Sequence, residues 1–132
     1  MNESRADILA VDDRPENLVV LEAALAELGQ DIVRATSGQQ ALEILLEREF
    51  AVILLDVRMP DMDGFETAGY IRKSKRSMST PIIFVTAGEH QLGQVTKGYS
   101  VGAVDYIIKP FDPEVLLSRV NAVFRRLKVI AA

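Results

Sequence analysis

Short apolar runs alternate along the chain with stretches whose apolar residues recur every three or four positions. Ile8-Leu9-Ala10-Val11 is apolar throughout and ends in Asp12-Asp13, the pattern of a strand buried on both faces. Pro15 follows where a helix can begin, because a first-turn proline gives up no needed N–H. Leu18, Leu21, Leu25 and Leu28 then carry a helical period to Gly29, which reads as the C-terminal cap. Ile32 to Thr36 is a second, more polar strand suited to a sheet edge. Ser37 and Gln40 have capping-box spacing ahead of a helix whose stripe is Ala41, Leu42, Leu45 and Leu46. Ala51 to Leu55, the most hydrophobic strand, stops at Asp56. Val57 to Asp63 contains Pro60 and reads as a loop, after which Gly64 opens a third helix to about Lys73. Pro81 introduces a fourth strand, Ile82 to Val85, ending at Thr86. A weaker helix lies between His90 and Ser100, and Val104 to Ile108 is a fifth strand ending at Lys109-Pro110. Asp112-Pro113-Glu114 starts a final helix to about Leu127, with Asp as N-cap, Pro at the first helical position and Glu in the favourable field of the helix start.

Five strand–helix units in strict alternation predict an α/β fold: a five-stranded parallel sheet with helices on both faces. Right-handed crossovers leave few topologies, and the doubly wound, flavodoxin-like order 2-1-3-4-5 is the expectation. The 132 residues suit one domain, 1–132 with a core of about 7–128, and hold no repeat, low-complexity tract or linker. Hydrophobic residues make up 48%, enough to cover both faces of a small sheet. The net charge of −4 weighs against direct nucleic-acid binding. The absence of cysteine excludes disulfides, thiolate zinc sites and thiol nucleophiles, and fits a cytoplasmic setting. The polar start Met1-Asn2-Glu3-Ser4-Arg5 is unlike a signal peptide, and no apolar run reaches the ~18 residues a membrane span needs. Arg72-Lys73-Ser74-Lys75-Arg76 reads as a solvated basic cluster complementing a helix end.

Four of the five strands end at their carboxyl edge in a charged or reactive residue: Asp12 and Asp13, Asp56, Thr86, and Lys109. In open parallel sheets ligands bind outside these ends, at the switch point, which for this order lies between strands one and three. Singly, each residue has an ordinary explanation: a capping Asp, a loop hydroxyl, a solvated lysine. Tyr106 alone is half-buried strand packing. Their joint placement changes the picture. Three carboxylates packed together either hold protons or recruit a cation, and hard oxygen donors without Cys or His suit Mg²⁺. Lys109 adds a positive charge, and Thr86 a hydroxyl able to donate to a phosphoryl oxygen. A nucleophile, charge neutralisation and orientation are the parts of phosphoryl transfer.

From about Asp7 to Lys128 the chain resembles response-regulator receiver domains of two-component systems. The resemblance rests on Asp12-Asp13, on Leu55-Asp56-Val57-Arg58-Met59-Pro60-Asp61-Met62-Asp63-Gly64, on Thr86-Ala87, and on Tyr106-Ile107-Ile108-Lys109-Pro110-Phe111. The family has the 2-1-3-4-5 order, so that expectation is not independent of the likeness. The resemblance implies that Asp56 accepts a phosphoryl group from a phosphohistidine of a histidine kinase or histidine phosphotransfer protein. It implies that Asp13, Asp56 and the backbone carbonyl of Arg58 ligate Mg²⁺, with Asp12 acting mainly through metal-bound water. Thr86, Ala87 and Lys109 would bind the phosphoryl group, Thr86 and Tyr106 would switch rotamer together, and the Lys109-Pro110 bond would be cis. The output would be read on the surface of the fourth helix, fifth strand and fifth helix, which can meet an output domain or a second copy. The chain would not be an enzyme beyond its own phosphotransfer and dephosphorylation. Arg58 and Gly88, two residues beyond acceptor and switch threonine, occupy positions that tune phosphoryl lifetime in the family.

Asp12-Asp13-Arg14-Pro15-Glu16-Asn17 and Gly98-Tyr99-Ser100-Val101-Gly102-Ala103-Val104-Asp105-Tyr106 look like receivers of hybrid sensor kinases. The apolar end Val129-Ile130-Ala131-Ala132 suggests a piece of a longer polypeptide; a stand-alone receiver is the other possibility. Gly88, Gly93 and Gly98, with Val95 and Thr96, predict that the fourth helix is the least stable, since each helical glycine costs ~1 kcal/mol relative to Ala. His90 has no pattern of partners for a metal or phosphohistidine role. Two other activities fit less well. A haloacid-dehalogenase-type phosphatase would want a second Asp two residues after Asp56, where Arg58 stands. A flavodoxin-like binding module would want a Ser/Thr/Gly-rich loop where Asp12-Asp13 would repel FMN phosphate. A degenerate receiver, acting as an unphosphorylated interaction module, is the remaining alternative, and the intact acidic cluster argues against it.

Overall fold

The structure is a computed structural model and describes residues 7–87, 97 and 100–127. Strands β1 (Ile8–Val11), β2 (Ile32–Ala35), β3 (Val52–Leu55), β4 (Ile82–Ala87) and β5 (Asp105–Lys109) form one parallel sheet. Their order is β2-β1-β3-β4-β5, the doubly wound order expected from the alternation. The partly polar β2 lies at an edge, where only one neighbour has to be matched. The helices are α1 (Pro15–Leu25), α2 (Gly38–Glu47), α3 (Gly64–Lys73) and a C-terminal helix (Pro113–Leu127).

Successive strand residues face opposite sides of the sheet, and the chain uses both sides. Leu9, Val11, Ile53, Leu55, Ile82 and Phe84 pack with Ala41 and Leu45 of α2 and with Phe65, Ala68 and Ile71 of α3. Ile8, Ala10, Val52, Leu54, Ile83 and Val85 pack with Leu18, Leu21 and Leu25 of α1 and with Leu116, Val120, Val123 and Phe124 of the C-terminal helix. Each such side chain taken fully out of water contributes ~1.5–3 kcal/mol, more than the helix propensities can. The central strands are therefore the anchors of the fold.

Local chemistry sets the helix ends. The Ser37 hydroxyl accepts from the Gln40 amide at 3.0 Å, but Gln40 Oε1 accepts from the Thr36 N–H, one residue before the usual return partner. α3 has the full reciprocal box between Asp63 and Glu66. Asp112 Oδ1 accepts from the Glu114 amide at 2.9 Å at the start of the C-terminal helix. The first helix ends earlier than the leucine period predicts: Ala26–Leu28 tightens into a 3-10 turn, and Gly29 closes it at φ 66°. β4 runs past Thr86 to Ala87, because both residues pair with β5.

In the basic cluster Lys73, Lys75 and Arg76 are exposed, as its composition predicts, but Arg72 departs from that reading. Arg72 is half-buried, and its guanidinium donates to the carbonyls of Val101 (2.9 Å), Gly102 (3.0 Å), Thr80 (2.7 Å) and Met78 (3.1 Å). Burial lowers its pKa from the ordinary arginine value. Arg76 donates to the Leu46 carbonyl at 2.9 Å. The expected fourth helix, with His90, Gly88, Gly93, Gly98, Val95 and Thr96, lies for the most part outside the described residues, as does the end Val129–Ala132.

Candidate functional site

Strand register brings the acidic residues together. Val11 pairs with Leu55, so the next residue of each chain segment, Asp12 and Asp56, stand abreast past the strand ends. The ladder continues there: the Asp56 amide donates to the Val11 carbonyl at 3.0 Å, and the Asp12 amide to the Ala35 carbonyl at 3.1 Å. Asp13 completes the group, with one oxygen from each of the three carboxylates within 4.8 Å of the others. On the other side, Ala87 pairs with Lys109 and Thr86 with Ile108, which carries the hydroxyl and the ammonium to the same edge. Asp13, Arg14, Asn17, Asp56, Arg58, Thr86, Ala87 and Lys109 line a crevice of ≈ 270 Å³. Tyr106 does not line it. Its ring packs against Phe84 at 5.9 Å between centroids, and Phe84 against Phe65 at 5.1 Å. The Lys109-Pro110 peptide is cis.

The charges are unevenly shared. Asp12 is 1% exposed, and its carboxylate accepts from the Lys109 ammonium at 2.5 Å, from the Arg14 amide at 3.0 Å, and from the Asn17 side-chain amide at 3.3 and 3.2 Å. Lys109 is thus paired with Asp12, while it lines the same crevice as Asp56. Asp56 is 7% exposed. Burial pushes its carboxyl above the usual carboxylate range; the Thr86 hydroxyl and Lys109 ammonium pull it down, Asp12 raises it further, and the Val57 amide lowers it. Burial also raises the Tyr106 phenol, with the Arg58 guanidinium opposing and the Asp56 charge adding.

Such a set fits a hard divalent cation. Its donors are carboxylate oxygens, close enough to share one ion, and among the described residues no His or Cys joins them. Mg²⁺ bound there would supply the charge neutralisation that three neighbouring carboxylates lack. Asp12, Asp13 and Asp56 would hold it, and Arg58 stands at the rim.

Two residues matter here to which the sequence motifs assign no role at the site. Asn17 clasps Asp12; its signal in the sequence is a polar residue one turn into a leucine-striped helix. Gly64 starts α3 against Asp56: an added Cβ would lie 2.2 Å from the Asp56 carbonyl oxygen and 2.8 Å from the Val57 Cα. Its amide donates to the Val57 carbonyl at 2.8 Å, tying the helix start to the residue after Asp56. The Asp63-Gly64 pair signals a cap, but not this approach.

Comparison with known proteins agrees with the geometry. The family model described as response regulator receiver domain matches residues 8–121. The transcriptional regulatory protein SrrA of Staphylococcus aureus is 40% identical over 120 residues, covering 91% of this chain and 48% of SrrA. The chain thus spans about half the length of the curated relatives it matches. The structure of the chemotaxis protein CheY4 of Vibrio cholerae aligns at a TM-score of 0.83 and 34% identity, over 90% of this chain and 98% of that one. The signal receiver domain of a signal transduction histidine kinase from Syntrophus aciditrophicus aligns at 0.84 and 28% identity, over 93% and 92%.

Proposed function

This chain belongs to the response regulator receiver domain family, and from that premise we propose that residues 1–132 form one phosphoacceptor domain in which Asp56 is the acceptor. The observation that carries this is the meeting of Asp12, Asp13 and Asp56 at one strand edge, with Thr86 and Lys109 facing them. An Asp56 oxygen forms a bond to phosphorus as the phosphorus–nitrogen bond of a phosphohistidine breaks. The electron pair leaves on the imidazole nitrogen, and the product is an acyl phosphate. Lys109 moves its charge from Asp12 to the phosphoryl oxygens, and the Thr86 hydroxyl donates to one of them. Mg²⁺ is the expected cofactor, with Asp13 and Asp56 as ligands beside the Arg58 carbonyl.

The readout assigned to this event is the face carrying β5 and the C-terminal helix, together with the expected fourth helix. Tyr106, on β5 and packed against Phe84, is its proposed reporter. The donor is a histidine kinase or a histidine phosphotransfer protein, and the reaction belongs to the cytoplasm. The chain transforms no other substrate, and its receiver could serve within a hybrid kinase or ahead of an output domain. Among the described residues no helix is long and apolar enough to cross a membrane. The unphosphorylated-module alternative has no support in the acidic cluster, which is complete.

The test is incubation with acetyl phosphate across a Mg²⁺ titration, followed by intact mass. The proposal predicts one added phosphoryl group, lost on chelation, with Asp13→Ala needing at least tenfold more Mg²⁺. Modification indifferent to chelator would contradict the metal assignment.

A further inference from the structure

Asp12 is the most enclosed of the three carboxylates, and an ionised carboxylate survives such burial only when donors surround it. Three protein groups do so, and they differ in kind. Lys109 is mobile by chemistry: a single ammonium on a flexible stem, which the proposed reaction calls away to the phosphoryl group. The Arg14 amide is backbone and reaches only Oδ1. Among the described residues Asn17 alone donates to both oxygens, at 3.3 Å to Oδ1 and 3.2 Å to Oδ2. A donor reaching both oxygens constrains the rotation of the carboxylate plane as well as its position.

The first turn of α1 fixes Asn17 for this task. Pro15 begins the helix, and the Asn17 amide nitrogen of the main chain donates to the Arg14 carbonyl at 3.0 Å. Leu18, the next residue, is fully buried in the core beneath. The side-chain amide therefore projects from a rigid turn rather than from a loop.

We infer that Asn17 is a positioning residue for the acidic site, holding the Asp12 carboxylate in place when Lys109 leaves it, so that Asp12 stays oriented toward the cation and its waters. This rests on the phosphoacceptor reading and adds to it a residue whose side chain binds neither the metal nor the phosphoryl group. Outer partners that orient metal-site carboxylates change metal affinity by about 10–100-fold when removed. Asn17 thereby joins α1 to the chemistry at the sheet edge.

Isothermal titration with Mg²⁺ on the full chain tests this, with Asn17→Ala, Asn17→Gln and the parent side by side. The expected result is an affinity about tenfold weaker in Asn17→Ala, with part of it regained in Asn17→Gln, which restores an amide. In acetyl phosphate reactions the half-saturating Mg²⁺ concentration should rise in Asn17→Ala by the same factor, while the plateau rate changes less. A purely structural role would instead lower the melting temperature and the plateau without that split. Unchanged Mg²⁺ affinity in a folded Asn17→Ala overturns the positioning role and leaves the acceptor reading standing. If Asn17→Ala does not fold, the same comparison is read from Asn17→Gln and Asn17→Ser, and affinities equal to the parent's in both overturn it. A parent that binds no Mg²⁺ takes down both.

Discussion

Burial disfavours the ionised form of Asp56. A carboxyl whose folded pKa lies above its unfolded value supports the fold at low pH, and that support is lost as pH rises through the folded pKa. Without metal, Asp56→Asn should therefore melt at a higher temperature than the parent at pH 7. The gap should close as pH falls toward ~3.9, the ordinary aspartate value. Melting curves from pH 3 to pH 8, with chelator, check this; a gap that widens in acid would contradict it. Gly64 carries the opposite lesson. An added Cβ would meet backbone, which cannot swing aside, so Gly64→Ala should cost ~1–3 kcal/mol in denaturant unfolding. Aspartates at strand ends are visible in a sequence because the strand pattern points at them. The need for glycine at position 64 arises from how α3 lands on the Asp56 carbonyl, and the residue string does not contain that landing.

At the scale of elements, Arg72 does what its neighbours in sequence do not suggest. Five residues of basic and polar character look solvated, yet this guanidinium bridges the end of α3, the turn before β4 and the segment entering β5 through main-chain carbonyls. Carbonyl acceptors carry no side-chain signature, so composition cannot reveal them. Arg72→Met keeps the aliphatic length and removes every donor. It should lower stability by ~2–3 kcal/mol, the scale of charged hydrogen bonds lost from partly buried carbonyls. Amide exchange should quicken from Val101 into β5; equal loss of protection throughout the sheet would argue against a local clamp. The caps were easier to foresee, since Ser37 and Asp112 act on amides two or three residues away. Where the pattern went astray, at Leu28 and Thr86, the deciding contact was a tight turn or a strand partner distant in sequence.

For the whole molecule, the sheet order was legible because it follows from alternation, buried strands and handedness, and the family likeness points to the same order. The meeting of Asp12, Asp13, Asp56, Thr86 and Lys109 then follows from the order plus the register. Not legible was the ground-state pairing of Lys109 with Asp12, which only side-chain placement decides. That pairing suggests how one chemical event reaches the rest of the fold. A new dianion on Asp56 competes for Lys109, and Lys109 shares strand β5 with Tyr106, which packs against Phe84. Lys109→Ala should therefore still take a phosphoryl group, but the NMR shifts of the Tyr106 ring should change far less on phosphorylation than in the parent. A parent-sized change in that variant would show that the lysine does not couple the two.

The central claim is that Asp56 accepts the phosphoryl group. Peptide mapping after treatment with acetyl phosphate and Mg²⁺ addresses it most directly. The account predicts a single phosphoryl group on the peptide carrying Asp56 in the parent and none in Asp56→Asn. An unmodified parent, or an Asp56→Asn variant modified to the parent's level, would contradict it.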